Sequence, residues 1–173
     1  LAGWTAFLIS LIVYSITVED TASFWDAGEF IAVSSKLEVP HPPGAPFYLL
    51  LGRFFSLFAF GVPENIAIAI NFLSVVSSAF TILFLFWTIT YLASKIIDPK
   101  LNNDNKVLVI LAGFIGSLSF TFTDSFWFSA VESEVYAMSS FFTAFVFWAI
   151  LKWESLDDEK DQNKWIILIA YMM

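Results

Sequence analysis

Thirty consecutive residues, 65–94, carry no charged side chain. As a helix they would run for roughly 45 Å at 1.5 Å per residue, more than the ~30 Å hydrocarbon core of a bilayer. Residues 1–18, 107–123 and 135–151 are also free of charge, and a fifth apolar run starts at Trp165. Lipid leaves unpaired backbone groups without partners, so runs of this kind are expected to be helices. The sequence therefore predicts an all-α integral membrane protein with spans at about 1–18, 65–94, 107–123, 135–151 and 165–173, the last cut short.

Composition agrees with that class. Hydrophobic residues make up 58% of the chain and charged residues 14%, against about a quarter charged in soluble domains. The absence of cysteine excludes disulfide and thiolate chemistry. A net charge of −8 argues against nucleic acid as a partner. The chain opens at Leu1 inside one apolar run and ends at Met173 inside another. We read it as the N-terminal part of a longer protein. No basic segment precedes the first run, so that run reads as a retained helix rather than a signal peptide.

The lysines are distributed unevenly between the connections. Lys95, Lys100 and Lys106 fall in one, and Lys152, Lys160 and Lys164 in another. With alternating spans, both connections lie at the same membrane face, which the positive-inside rule makes cytoplasmic. Acids in the second connection count for little in that rule. The opposite face receives residues 19–64 and 124–134, whose only basic residues are Lys36 and Arg53.

The connection 19–64 is too long for a simple linker. Phe30, Val33 and Leu37 recur at helical spacing and predict a juxtamembrane helix at about 26–38. Pro40, Pro42, Pro43 and Pro46 then enforce a stiff, extended passage. A second juxtamembrane helix is expected at about 46–60, apolar except for Arg53. It is short for a span, and an extra crossing would spoil the lysine asymmetry.

This connection also holds the residues best suited to chemistry. Asp26 and Glu29 share a helical face, and the same spacing suits a capping box with Asp26 as N-cap and Glu29 at N3. A capping aspartate still has a lone pair to offer a substrate or a metal. Glu19 and Asp20 read chiefly as solvated helix-end charges. His41, the chain's one histidine, precedes two prolines that restrict its backbone; it reads either as a structural residue or as part of a site. One histidine with unplaced serines assembles no catalytic triad. Glu132, Glu134 and Tyr136 return to the same face. There the acids suit a helix N-terminus and also suit a metal or sugar-hydroxyl site. Asn71 and Arg53 have the chemistry to contact a phosphate, and Arg53 equally the length to snorkel to headgroups. Trp4, Trp25 and Trp127 fit interfacial anchors.

The stretches FWDAGEFIAVSSKLEVPHPPGAPFYLLLGRFFSLFAFG, ENIAIAINFLSVVSSAFTILFLFWTIT and SAVESEVYAM carry a resemblance. They resemble the bacterial family catalogued as domain of unknown function 2723, grouped with protein O-mannosyltransferase-like proteins as glycosyltransferase family 117. The resemblance covers almost the whole chain, and its D-x-G-E and H-P-P-G motifs are specific. It implies a GT-C-like helical bundle in a bacterial inner membrane with its active site facing the periplasm. It further implies a polyprenyl-phosphate sugar as donor and a protein Ser or Thr hydroxyl as acceptor. The class places its catalytic base in the first extracytoplasmic loop, which carries that role onto Asp26, with Glu29 beside it. His41 matches the segment leading into the second juxtamembrane helix, and Glu132 and Glu134 match the acids before the fourth span.

The expected site therefore comprises Asp26 and Glu29 as catalytic residues and His41, Arg53, Asn71, Glu132, Glu134 and Tyr136 as substrate contacts. No cofactor is assigned with certainty; a divalent ion on Asp26 and Glu134 is left open. Expected partners are membrane lipid, the lipid-linked sugar and an acceptor protein. Two other classes stay in view: an ion-coupled transporter or channel using Asp26, Glu29 and Glu134, and a non-catalytic subunit of an envelope assembly. Transporters bury charge at mid-membrane in broken helices, whereas here the uncharged runs hold none.

Overall fold

The longest helix, α4, is the axis of the fold. The structure is a computed structural model and describes residues 1–97 and 103–172; Lys100 and Met173 lie outside the described residues. Within them the chain forms α1 (Ala2–Ile16), α2 (Ala27–Lys36), α3 (Pro46–Ser56), α4 (Ile66–Ile97), α5 (Asn103–Thr121), α6 (Asp124–Val131), α7 (Val135–Glu154) and α8 (Glu159–Met172). No strand occurs among the described residues.

Helix α4 packs against α1, α5 and α7. Its buried face mixes Ile70, Leu73, Val75, Ile82 and Phe86 with the small residues Ser74, Ser77, Ser78 and Ala79. Small residues let helices approach closely where lipid supplies no hydrophobic drive for association. The Ser77 and Thr81 hydroxyls donate to carbonyls one turn back, Leu73 and Ser77, at 2.8 and 3.0 Å, so burying them leaves no donor unpaired. Helix α5 comes close enough that a Cβ on Gly113 would lie 2.6 Å from Thr90 and 2.8 Å from Phe86.

Among the described residues, three helices are long and apolar enough to cross a membrane: Pro63–Ile97, Asp104–Thr121 and Val135–Glu154. Helices α1 and α8, of 15 and 14 residues, are shorter. Helix α8 starts six residues before the apolar run at Trp165, with Glu159 and Asp161 in its first turn, where acids complement the helix dipole.

Both juxtamembrane segments are helical. Helix α2 ends in a Schellman turn: Leu37 is left-handed at φ 56°, and the Glu38 N–H donates to the Val33 carbonyl at 2.9 Å. Arg53 donates to the Ser35 carbonyl at 2.6 Å, placing a guanidinium at the negative end of α2. Phe30, Val33, Tyr48, Leu49 and Leu73 form one buried cluster that seats α2 and α3 on α4.

Residues 124–134, read from sequence as a plain connector, contain α6. Its Phe126 and Ala130 are one turn apart and enter the α1–α4 core with Ala6, Tyr14 and Val75. The Tyr14 hydroxyl donates to the Thr121 carbonyl at 2.9 Å, and Trp127 Nε1 donates to Thr17 Oγ1 at 3.1 Å. The ends of α1 and α5 therefore meet beside α6. At the other end of the bundle, Lys95 pairs with Glu154 at 2.6 Å.

Candidate functional site

A cleft of about 1260 Å³ opens where the His41–Gly44 turn, α3, α7 and the end of α8 meet. Asp26, His41 and Glu134 line its polar end; the α7 positions Met138, Phe142, Val146 and Ile150 line its length. These residues fall on one face because they recur every three or four positions.

Asp26 stands at the N-cap position of α2, yet its side chain makes no capping hydrogen bond. The reciprocal capping box allowed by the spacing does not form. Glu29 turns away to His41 instead, one carboxylate oxygen accepting the His41 backbone N–H at 2.8 Å and the other lying 2.7 Å from Nδ1. Asp26 keeps a side chain 56% exposed, with one oxygen 4.0 Å from His41 Nε2. The turn after His41 is closed by the Gly44 N–H donating to the His41 carbonyl at 3.0 Å; Gly44 takes φ 75°, and the Pro42–Pro43 bond is cis.

The short contact polarises both partners. The hydrogen bond from His41 holds the Glu29 carboxyl below its ordinary range. The same bond, with the charge of Glu29 and then of Asp26 and Glu134, holds the His41 imidazole above its ordinary range. The imidazole therefore takes up a proton more readily than a free one, with Nδ1 towards Glu29 and Nε2 towards Asp26.

Glu134 precedes α7 in extended backbone and is 6% exposed. Burial, reinforced by the nearby charges of Glu132 and Asp26, pushes its carboxyl up to about 6. Glu132 is buried too, raised chiefly by desolvation, and accepts the Ser23 hydroxyl. It faces the connector after α1 and does not line the cleft. A short turn separates the two acids, the Glu134 N–H donating to the Glu132 carbonyl at 2.9 Å.

The remaining expected residues are divided. Tyr136, 65% exposed, lines the cleft. Arg53 does not; it is spent on the end of α2. Asn71 does not either. It is fully buried, its amide donating to the Glu19 and Thr21 carbonyls at 2.6 and 3.1 Å, its oxygen accepting from Ser133 Oγ at 2.5 Å. Glu19 accepts the Thr21 hydroxyl at 2.9 Å. Sequence reasoning passed over Tyr48 and Ser133. Tyr48, 1% exposed and stacked edge-on against Phe30 at 5.3 Å, backs the cleft. Its position just after Pro46, at the start of a helix, was the available signal.

One grouping has metal-ligand character. Asp26, Glu29 and His41 each offer one ligand atom, all within 4.8 Å of one another. Two carboxylates and an imidazole form a donor set suited to a divalent ion. The fold thus gathers Asp26 with Glu29 and His41, where the sequence reading had paired Asp26 with Glu134.

Comparison with known proteins gives a consistent picture. Residues 26–173 match the family described as the protein O-mannosyl-transferase TMEM260 N-terminal domain. The protein O-mannosyl-transferase tmem260 of Dictyostelium discoideum is 31% identical over 141 residues, covering 80% of this chain and 15% of that protein. Protein O-mannosyl-transferase TMEM260 of Mus musculus is 25% identical over 153 residues, covering 88% of this chain and 19% of that protein. The chain thus spans less than a fifth of the length of these relatives. No solved structure matches it.

Proposed function

We propose that this chain, which belongs to the protein O-mannosyl-transferase TMEM260 N-terminal domain family, carries the acid-bearing part of a membrane glycosyltransferase. The reaction moves a hexose, mannose by the names of its relatives, from a polyprenyl-phosphate donor to a Ser or Thr hydroxyl of an acceptor protein. Membership of glycosyltransferase family 117 and a GT-C-like bundle belong to the same proposal. So does an extracytoplasmic site, periplasmic in a bacterial inner membrane.

One observation carries this reading. An accessible carboxylate, Asp26, stands at the polar end of a cleft whose other wall is an apolar face of α7. From Val135 to Ile150 that wall extends roughly 22 Å at 1.5 Å per residue, so a donor with a charged head and an apolar tail fits along it. The acceptor oxygen attacks the anomeric carbon as the carbon–oxygen bond to phosphate breaks and the phosphate leaves with the electron pair. Asp26 takes the hydroxyl proton. The imidazolium of His41, held by Glu29, offsets charge on the departing phosphate. Arg53, engaged at the end of α2, is not placed to do so. If a divalent ion is used, Asp26, Glu29 and His41 would hold it, and it would supply Lewis-acid stabilisation of the phosphate.

The ion-path alternative finds less support. The buried face of α4 carries Asn, Ser and Thr but no ionisable side chain, so the titratable groups stay at the bundle end. The test is transfer of label from radiolabelled polyprenyl-phosphate mannose to a Ser/Thr-rich peptide by the protein in nanodiscs. Transfer by the wild type that vanishes in Asp26→Asn supports the reading. No transfer with mannose, glucose or other carrier sugars overturns it and sends attention to ion flux in liposomes.

A further inference from the structure

A fully buried, fully hydrogen-bonded amide near the start of the longest apolar run needs a reason. Asn71 lies one turn into α4, the axis on which the other helices pack. Its two donors and its oxygen reach two separate connectors, 17–26 and 131–134. The donors take the Glu19 and Thr21 carbonyls, and the oxygen takes Ser133 Oγ. Each connector delivers one acid to the cleft. Asp26 ends the first, and Glu134 ends the second, beside Ser133. The connectors are also stitched directly, the Glu19 N–H donating to the Val131 carbonyl at 2.9 Å and Ser23 to Glu132.

We propose that Asn71 is a positioning residue that fixes the Asp26 connector and the Glu134 connector relative to one another and to α4. This rests on the transferase reading of the cleft. The chemistry of the position is restrictive. Two carbonyl acceptors on one side and a hydroxyl donor on the other call for an amide, which alone supplies both ends in one short side chain. An aspartate would face two carbonyls without a donor. A leucine would leave two carbonyls and a hydroxyl buried without partners, each costly. Asn71 is off the cleft lining, so its effect on the reaction passes through the two acids.

The experiment uses the whole protein in nanodiscs, with Asn71→Ala and the milder Ser133→Ala, which frees only the Glu134 connector. Two readouts are taken. In the transfer assay with polyprenyl-phosphate mannose, Asn71→Ala should lower kcat about 100-fold, the effect of a misplacement near 1 Å. KM for donor and acceptor should stay within about twofold. Ser133→Ala should lower kcat about tenfold by the same argument. In hydrogen exchange, Asn71→Ala should speed exchange in 17–26 and 131–134 together while α5 keeps its protection; Ser133→Ala should affect 131–134 alone. A raised KM at wild-type kcat would make Asn71 a substrate contact and overturn the proposal. Unchanged exchange in either connector of Asn71→Ala would also overturn it. A wild type inactive on every carrier sugar removes the transferase reading, while the exchange result still decides whether Asn71 couples the connectors.

Discussion

His41 Nδ1 lies 2.7 Å from one carboxylate oxygen of Glu29, and the other oxygen accepts the His41 backbone N–H at 2.8 Å. This two-point clasp joins α2 to the proline turn twelve residues later. It also explains why Glu29 is not available to cap α2, and why protonation of the imidazole is favoured above its ordinary range.

The clasp has a pH window. Glu29 is lowered from 4.5, so its contribution is present above 4.5 and is lost as pH falls through its lower folded value. His41 is raised from 6.5, so its contribution is present below 6.5 and is lost as pH rises through its higher folded value. The pair is at full strength between 4.5 and 6.5. The melting-temperature difference between wild type and Glu29→Gln should be largest near about pH 5.5 and shrink as pH rises through the raised folded value of His41, down to the part carried by the His41 backbone N–H. A difference that grows with pH would contradict the ion pair.

The two cleft residues should differ in their effect on activity. Asp26→Asn preserves shape but removes the proposed base, and loss of a general base costs about 10²–10⁴-fold. His41→Ala removes the group proposed to offset charge on the leaving phosphate and should cost less, on the order of tenfold. Transfer rates of the two variants at equal expression check the ranking.

Glu134 should be a liability to stability at alkaline pH. Its carboxyl is raised from 4.5 to about 6, so the folded state favours the proton. The stability it contributes is present below 4.5 and lost as pH rises through about 6. A shift of that size corresponds to about 2 kcal/mol. Glu134→Gln should therefore gain on the wild type between about pH 4 and pH 8, by up to that amount. Melting curves at the two pH values read the gain directly.

Helix α3 tolerates no side chain at Gly52. A Cβ there would lie 2.6 Å from Ser34 Oγ and 2.8 Å from Ser34 Cβ, and Ser34 is fully buried on α2. Gly52→Ala should destabilise by about 1–3 kcal/mol through overpacking, less the gain in helix propensity of about 1 kcal/mol. Adding Ser34→Gly should recover much of the loss. Additive effects in the double mutant would show that the two positions do not meet.

Much of this architecture is legible in the sequence because it is local. Uncharged runs with helical periodicity make helices wherever lipid or a core surrounds them, and α4, α5 and α7 follow directly. Alternation of those helices puts residues 19–64 and 124–134 at one end, so Asp26, His41 and Glu134 are brought within reach of one cleft. The spacing of Phe30 and Val33 marks α2 for the same reason, whereas Leu37, expected on the same stripe, ends the helix in a left-handed conformation and is exposed. Partner choice is different, because it depends on chain segments far apart. Spacing allows Glu29 to cap Asp26, yet a turn twelve residues on supplies His41 and takes it. Arg53 has the chemistry for a phosphate but meets the Ser35 carbonyl in the last turn of α2. Glu132 and Glu134 are two residues apart and indistinguishable by type, and only the packing of the α1 connector turns one towards Ser23 and leaves the other at the cleft. Asn71 sits in an apolar run, and its use is set by connectors 50 and 62 residues away. Local composition decided which segments are helices; the long-range pairing of buried polar groups, most of which find a partner when water is excluded, decided which side chains face the cleft.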